Sequence, residues 1–329
     1  MSITSKSPNA VARTALRVAS RALPPYSHRF SPKRFTQPQL LTIIVLKTFF
    51  KTDFRGIIKL LQDMPQLTKI LKLKTVPHYT TIQKASARLL VLPQAQHLLN
   101  RTAKLALANQ TKIKLAAIDS TGLQSGHISP YFLQRCSNGR KPHRNTQMTT
   151  WPKMAIIADT RSHVIVSVYP TRGPKSDSAH FKAALSQLPP GMTIEKLLAD
   201  AGYDSEANHC WARLVCGIKT VIPPKIGSPT KLLPKKPFRR EMATHFDAKS
   251  YRKRGQVETV FSMLKRNLGY SLRSRSQQSQ NSEMYLLAIT HNIMVVLFFY
   301  LLKSFSTEQN YNYLIALQHD DCTAATITL

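Results

Sequence analysis

Three carboxylates stand in settings that suit metal-assisted chemistry. Asp119 ends the apolar run Ala-Ala-Ile-Asp, Asp200 ends the run Leu-Leu-Ala-Asp, and Glu258 lies among arginines and lysines. Carboxylates at the ends of neighbouring strands, met by a glutamate from a helix, can hold two Mg²⁺ or Mn²⁺ ions about 4 Å apart. Such a pair of ions can drive an in-line displacement at phosphorus. The three residues are therefore candidate catalytic residues and metal ligands.

Each of these carboxylates also has an ordinary structural interpretation, which the spacing leaves open. An aspartate at a strand end often caps a helix or forms a turn, and Asp204 is predicted to have one of these two roles. Glu258 could be an ion-paired residue on a helix surface. The four cysteines show no CxxC pair, so nothing favours a zinc site instead.

The charge balance predicts a polyanionic partner. Lysine and arginine total 47 against 16 aspartates and glutamates, which gives a formal net charge of +31. Such a field attracts polyanions and makes their binding salt-dependent. Before Asp119 the only carboxylates are Asp53 and Asp63. Nucleic acid is the expected partner, and the competing classes are structural RNA-binding proteins and binders of anionic membranes.

The apolar run from residue 284 to residue 302 raises the question of a membrane span. It contains Thr290, His291 and Asn292 in succession, and polar groups at that depth are unfavourable in a bilayer. We predict a buried helix here and no association with a membrane.

The first third of the chain is predicted to be helical. Residues 1–35 carry Arg13, Arg17 and Arg21 at helical spacing without an acidic residue. This pattern is shared by organelle transit peptides, but a basic arm that contacts DNA agrees better with the rest of the chain. Residues 36–110 are predicted to form a separate helical domain, because apolar residues recur there at helical spacing.

A possible DNA-reading helix lies within that domain. Pro77 breaks the chain, Thr80 and Gln83 have the spacing of a capping box, and the following helix carries Lys84 and Arg88. A turn followed by a capped, basic helix is typical of a helix-turn-helix reader. Lys84 and Arg88 are therefore candidate DNA contacts, although an ordinary helical hairpin with solvated charges fits equally well.

From residue 111 to residue 305 strand-like and helical segments alternate. The predicted strands are 114–118, 154–158, 164–169, 194–199 and 219–222, and the predicted helices are 177–188, 205–215, 250–268 and 283–303. This order predicts a mixed α/β domain, followed by a C-terminal tail at 306–329.

Two basic, turn-rich segments interrupt the predicted domain at residues 134–153 and 225–240. They could be solvated loops. Their position beside the carboxylate-bearing strand ends favours a DNA channel instead. The candidate DNA contacts in the first segment are Arg140, Lys141, Arg144 and Lys153.

The spacing around Glu258 resembles a known signature. DDE transposases of the IS4/IS5 group of insertion sequences share the order Tyr, two residues, Arg, three residues, Glu, six residues, Lys. In this chain the signature falls on Tyr251, Arg254, Glu258 and Lys265. The block Asp-Ala-Gly-Tyr-Asp-Ser that begins at Asp200 is similar to the second-aspartate motif of the family. The resemblance covers roughly residues 113–300, and the 57 residues between Asp200 and Glu258 suggest the shorter, IS5-like core.

The resemblance implies a fold, a site and an activity. The fold is an RNase H-like mixed sheet flanked by helices and preceded by an all-helical N-terminal domain. The site is a triad of Asp119, Asp200 and Glu258 with two Mg²⁺ or Mn²⁺ ions. The activity is cleavage of insertion-element ends and their transfer into target DNA.

The resemblance also implies partners and a location. The partner is double-stranded DNA, with Tyr251, Arg254 and Lys265 on phosphates near the element end. A homodimer is expected in the synaptic complex, in a prokaryotic cytoplasm beside the nucleoid. Two alternatives remain: a transposase-derived DNA-binding protein without catalytic activity, and an RNase H-like nuclease or resolvase.

Overall fold

The computed structural model of this chain describes residues 4–125, 151–225 and 233–305, with side chains described up to residue 296. The candidate DNA contacts Arg140, Lys141 and Arg144 and the predicted tail at 306–329 lie outside the described residues.

The described part of the chain before residue 110 is helical, as predicted. It contains α1 (Pro8–Ala22), α2 (Gln37–Phe49), α3 (Phe54–Asp63), α4 (Pro65–Ile70), α5 (Tyr79–Leu89) and α6 (Leu92–Ala106). The segment predicted to be a basic arm contains α1, which buries Val11, Ala15 and Val18 and leaves Arg13 and Arg17 exposed. The arm therefore has a packing role, and the contact of its charged face with DNA stays a prediction.

The predicted capping box at the start of α5 is wrong. The helix begins one residue before Thr80, with His78 as its N-cap and no capping hydrogen bond from a side chain. The Thr80 hydroxyl lies 2.8 Å from Nδ1 of His78 instead. A reciprocal capping box does occur at the start of α2, where Thr36 and Gln39 exchange bonds of 3.3 and 2.8 Å.

A five-stranded mixed sheet forms the centre of the second part. The described strands are β1 (Lys112–Gly122), β2 (Gln124–Ser125), β3 (Trp151–Asp159), β4 (Ile165–Gly173), β5 (Thr193–Leu198), β6 (Lys219–Val221) and β7 (Ser271–Leu272). The order is β4-β3-β1-β5-β6, in which β3 is antiparallel to β1 and β4, while β5 is parallel to β1 and β6. The short strands β2 and β7 pair with each other. The run Ala116 to Ile118 is fully buried in the central strand β1, as expected for a strand covered on both faces.

Helices cover the sheet. They are α7 (Phe181–Leu185), α8 (Glu206–Cys210), α9 (Pro237–Thr244), α10 (Ala248–Tyr251), α11 (Gln256–Leu268) and α12 (Gln277–Phe305). This arrangement, a mixed sheet flanked by helices and preceded by helices, confirms the predicted RNase H-like α/β fold class.

Two predicted helices are interrupted. The predicted helix 250–268 consists of α10, a 3₁₀ turn at Arg252–Gly255 and α11. Glycine is a poor helix former, and Gly255 lies where the turn gives way to α11. The predicted helix 177–188 begins as a 3₁₀ turn at Asp177–His180 and continues as α7.

The polar triplet in α12 anchors this helix to the sheet. His291 Nε2 donates a 2.9 Å hydrogen bond to the carbonyl oxygen of His163. The Asn292 amide accepts from the Ile165 N–H at 2.9 Å and donates to the Ile165 carbonyl at 2.8 Å. The prediction of a buried helix is confirmed. Among the described residues, no helix combines the length and the apolar character needed to cross a membrane.

Residues of alternating parity on the central strands enter two apolar clusters. Ala117, Leu198 and Ile156 belong to the cluster that also contains α1 to α6, α11 and much of α12. Ala116, Leu197 and their neighbours belong to the cluster on the opposite face of the sheet. The N-terminal helices and the sheet thus share one core, and the predicted division into domains stays a prediction.

Candidate active site

Asp119 and Asp200 lie at the same end of the sheet, the C-terminal end of β5, because β1 and β5 are parallel neighbours. Ala117 of β1 is paired with Leu198 of β5, and each aspartate lies two residues further along its chain. The matched register brings the two side chains to equivalent positions. Their mutual repulsion helps to raise the pKa of Asp119.

The pKa of Asp119 is raised from 3.8 to about 6. Burial is the main cause, and the carboxylates of Asp200 and Asp177 add to it. The N–H of Ser120, which donates to Asp119 Oδ1 at 2.7 Å, and the guanidinium of Arg254 oppose the shift. Asp119 therefore carries a charge that its neighbours compensate only in part.

Asp200 also adopts the structural role that the sequence left open. Its Oδ1 accepts a 2.6 Å hydrogen bond from the N–H of Gly202 and caps the 3₁₀ turn Ala201–Tyr203. A Cβ at Gly202 would lie 2.8 Å from Asp200 Oδ1, so the close turn requires glycine. This turn holds the Asp200 carboxylate at the strand end.

Asp204 was predicted to cap a helix or to form a turn; it does not cap α8, and it ends the 3₁₀ turn Ala201–Tyr203. The N-cap of α8 is Ser205. The side chain of Asp204 is fully buried, and it accepts from the N–H of Lys225 at 2.7 Å and pairs with Arg239 at 2.7 Å. Asp204 therefore connects the main chain of Lys225 to the side chain of Arg239.

Arg254 links Glu258 to Asp119. Its Nη2 lies 2.5 Å from Glu258 Oε1, and its Nη1 lies 3.5 Å from Asp119 Oδ2. Glu258 is in the first turn of α11 and its side chain is 57% exposed. In the part of the chain that the structure describes, no three carboxylate, histidine or thiolate side chains are grouped closely enough to hold a metal ion. The structure thus brings Asp119 and Asp200 together and connects Glu258 to them through a guanidinium.

A fourth carboxylate beside the site was missed by the sequence analysis. Asp177 Oδ1 accepts a 2.6 Å hydrogen bond from the hydroxyl of Ser120, the residue after Asp119. The same oxygen lies 2.5 Å from Lys153 Nζ. Lys153 was predicted to contact DNA, but its side chain is only 15% exposed and is paired with this acid. The sequence signal for Asp177 was weak, because an acid in the first turn of a helix is common.

The remaining signature residues lie along α10 and α11. Tyr251 is half-buried, and burial is the main cause of its raised pKa. The carboxylates of Asp200 and Asp119 raise the pKa further, and the guanidinium of Arg254 opposes the shift. Tyr251 therefore faces the same acidic group. Lys265 is in the last turn of α11, about 10 Å along the helix from Glu258.

The other candidate DNA contacts with described side chains lie on α5, and the buried Tyr203 lies beside the acids. Lys84 and Arg88 on α5 are exposed, so both can meet solvent or a ligand. Tyr203 is buried and packs on Phe181 with ring centroids 6.0 Å apart. Burial raises its pKa, and the carboxylates of Asp177 and Asp119 raise it further. An apolar ring thus forms one wall beside the acids.

The side chains present fit a hard divalent cation. Carboxylate oxygens are the ligands that Mg²⁺ and Mn²⁺ prefer. Burial is the main cause of the raised pKa of Asp119, and the nearby carboxylates of Asp200 and Asp177 raise it further. A cation would relieve this repulsion. Glu258 can join Asp119 and Asp200 only when Arg254 changes its pairing.

One family model matches more than half of the chain. The sequence profile described as "Transposase DDE domain" matches residues 110–293. The chain is similar to a piggyBac transposase solved as a synaptic complex with hairpin DNA, with 9% identity, 89% of this chain and 75% of that chain covered, and a TM-score of 0.43. It is also similar to the Mos1 transposase in a paired-end complex with the left transposon end, with 10% identity, 74% and 82% covered, and a TM-score of 0.22. No curated protein sequence matches the chain.

Proposed function

Because the chain belongs to the transposase DDE domain family, we propose that this transposase cuts the ends of an insertion element and joins them to target DNA. The observation that carries the proposal is the matched position of Asp119 and Asp200 on parallel strands, with Glu258 joined to Asp119 through Arg254. Two acids from adjacent strands and one from a helix can hold the pair of metal ions that assists phosphoryl transfer.

Asp119, Asp200 and Glu258 are the proposed ligands of two Mg²⁺ or Mn²⁺ ions. When bound, these ions would lower the pKa of the attacking water or hydroxyl group and would stabilise the leaving oxygen. The 3₁₀ turn after β5 holds Asp200 in place. Arg254 keeps Asp119 and Glu258 paired, and its guanidinium can exchange these carboxylates for a DNA phosphate, which it can bind in the same two-pronged way.

One tyrosine and several cations are proposed to contact the phosphates of double-stranded DNA. These residues are Tyr251, Arg254, Lys265, Lys84, Arg88, Arg140, Lys141, Arg144 and Lys153. The net charge of +31 supports a polyanionic partner. Lys153 can serve this role only by leaving Asp177, so we expect its contribution to DNA binding to be the smallest of the set.

The subgroup and the assembly are part of the same proposal. The Tyr-Arg-Glu-Lys spacing and the short interval between Asp200 and Glu258 support an IS5-like member of the IS4/IS5 group. Two element ends must be brought together for transposition, so we propose a homodimer in the synaptic complex, acting on DNA in a prokaryotic cytoplasm.

Cleavage of labelled DNA tests the function directly. The substrate carries the sequences that flank the coding region of this chain, and the reaction contains Mg²⁺ or Mn²⁺. Asp119→Asn, Asp200→Asn and Glu258→Gln are each expected to abolish cleavage and to leave DNA binding in place. Asp63→Asn is the matched control, because that carboxylate is 56% exposed and pairs with Lys59. Cleavage at the wild-type rate by one of the three variants would remove that residue from the site.

One observation favours a second candidate, a DNA-binding protein that has lost catalysis. Arg254 forms ion pairs with both Asp119 and Glu258. The described residues contain no group of three possible metal ligands. The same assay separates the two functions, because a purely binding protein retains the DNA and never nicks it in either metal. A nuclease or resolvase without transposition would cut the DNA but would not join the ends to a target.

A further inference from the structure

A cavity of about 410 Å³ lies where α2 meets the C-terminal end of α11 and the start of α12. Its lining includes three cations and one carboxylate, namely Lys47, Lys51, Arg273 and Glu283. Lys51 and Arg273 are exposed, whereas Lys47 and Glu283 are partly buried. We call this space the α2–α11 cavity.

Two of the cations are held in place by main-chain carbonyls. Lys51 Nζ donates a 2.7 Å hydrogen bond to the carbonyl oxygen of Arg266 near the end of α11. Arg273 Nη2 donates to the carbonyl oxygen of Lys51, just after the end of α2. An ammonium has three donors, so Lys51 keeps two for a ligand. The positive charges are thus fixed at the cavity rather than spread through solvent.

Lys47 is the cation of the cavity whose charge the protein compensates least. Its ammonium lies 5.0 Å from the centre of the Phe54 ring, and among the described residues it makes no salt bridge. Burial lowers its pKa, Arg273 lowers it further, and Glu283 opposes the shift. A partly buried ammonium of this kind is stabilised when an anion enters beside it.

Glu283 does not neutralise the cavity. Its two carboxylate oxygens accept the N–H of Arg273 at 3.1 Å each, and Oε2 also accepts the N–H of Ser274 at 3.0 Å. These bonds tie the carboxylate to the turn after β7. Asp53 also acts on Lys47 and Arg273 through its charge. Three cations against these two carboxylates leave an excess of one positive charge around the space.

We propose that the α2–α11 cavity binds a phosphate group of the DNA backbone, with Lys47 and Lys51 donating to its oxygens and Arg273 supplying charge. Helix α11 runs from Glu258 to Leu268 at the cavity, which is about 15 Å at 1.5 Å per residue. At about 3.4 Å per base pair, a duplex that runs along α11 would place the bound phosphate about four or five base pairs from the reacting one. The identity of the ligand as DNA rests on the proposed function, whereas the affinity of the cavity for phosphate does not.

Inorganic phosphate is the first probe. The thermal midpoint of the full chain is measured in phosphate and in chloride at equal ionic strength. Phosphate is expected to raise the midpoint of the wild type, and Lys47→Gln is expected to lose most of this rise. Lys112→Gln is the control, because Lys112 opens β1 at the edge of the sheet opposite Asp119 and is 70% exposed. An equal rise in wild type and Lys47→Gln, or no rise in either, would overturn the anion site.

Glu283→Gln guards against a variant that fails through misfolding. A glutamine oxygen can still accept a hydrogen bond from the turn, but the opposing charge is gone. Phosphate is therefore expected to stabilise Glu283→Gln more than the wild type. A smaller effect of phosphate on a folded Glu283→Gln variant would contradict the role of charge in the cavity.

The salt dependence of binding to a short duplex of arbitrary sequence identifies the source of the phosphate. Loss of one phosphate contact lowers the slope of log affinity against log salt by about 0.9. Lys47→Gln is expected to show this loss, and Lys47→Arg and Lys112→Gln to keep the wild-type slope. A wild-type slope in Lys47→Gln would show that the cavity does not take DNA. These measurements need no cleavage, so a wild type that never cuts DNA but passes them would refute the proposed function and leave the cavity assignment intact.

Discussion

The hydroxyl of Ser120 donates a 2.6 Å hydrogen bond to Asp177, which is 57 residues further along the chain. This bond connects the residue after Asp119 to an acid at the start of the 3₁₀ turn before α7, and Lys153 pairs with the same oxygen. The position of Asp119 at the sheet edge therefore depends on an ion pair as well as on the strand that carries it.

Asp177→Ala is expected to destabilise the protein by about 1–3 kcal/mol, because it leaves the mostly buried ammonium of Lys153 without its partner. The double variant Asp177→Ala/Lys153→Met should recover most of this loss, since an apolar pair needs no charge compensation. Urea unfolding measures both. The control is Asp63→Ala, which breaks the exposed pair with Lys59 and should cost less than about 0.5 kcal/mol. Equal losses in the two single variants would contradict this prediction.

Asp119→Asn is expected to stabilise the protein at neutral pH in the presence of a chelator. The folded pKa of about 6 lies above the ordinary value of 3.8, so folding takes up a proton between these values and stability falls as pH rises through them. Asparagine carries no charge and avoids this loss. The free energy of unfolding of the variant at neutral pH is therefore expected to exceed that of the wild type by about 1–2 kcal/mol, after allowance for partial exposure. Urea unfolding from neutral to acid pH should show the gain shrinking below pH 6. A variant less stable than the wild type at neutral pH would be the opposite result.

His291 makes the stability of the fold sensitive to acid. Its folded pKa of about 4 lies below the ordinary value of 6.5, mainly because it is buried. The unfolded chain therefore binds the proton first, and stability that is complete above pH 6.5 is lost as pH falls towards 4, by about 3 kcal/mol in total. His291→Gln should flatten the unfolding profile in this window. A profile with the same steepness in variant and wild type would exclude His291 as the cause.

Asp204→Ala is expected to cost about 3–5 kcal/mol, because Asp204 is fully buried and compensates Arg239. The loss also frees the N–H of Lys225. Glu195→Ala, which removes the exposed partner of Lys112, should cost less than about 0.5 kcal/mol. Urea unfolding compares the two. If Asp204→Ala lost no more free energy of unfolding than the control, the buried pair of Asp204 and Arg239 would not stabilise the fold.

Much of the fold follows from local patterns in the chain. The change from helical to strand-like periodicity near residue 111, the end of β5 just before Asp200 and the buried character of α12 were all predicted. The predicted strand end at Asp119 is wrong, because β1 continues to Gly122. Each of the correct predictions depends on residues that are neighbours in sequence, because side chains alternate along a strand and repeat every three or four positions along a helix. The family signature around Glu258 is also a local spacing, and so it was found without a structure.

Two wrong or incomplete predictions concern side chains that can bond either to a neighbour in sequence or to a distant residue. Thr80 was predicted to cap a helix, and Asp204 was predicted to cap a helix or to form a turn. The start of α5 instead falls at Tyr79, and the Asp204 carboxylate bonds Lys225 and Arg239, 21 and 35 residues away. A capping preference is worth about 1 kcal/mol, which is small beside the gain from compensating a buried charge.

The sequence by itself determined which residues can do chemistry at this site, through their types and their places at the ends of predicted elements. Only the tertiary structure decided which charges meet: Asp177 with Lys153, Arg254 with Asp119, and Arg273 with the main chain of Lys51, 222 residues away. The physical reason is that periodicity reports the direction of a side chain relative to its own strand or helix. Partners between distant segments are fixed by how the elements pack, and that depends on the whole core at once.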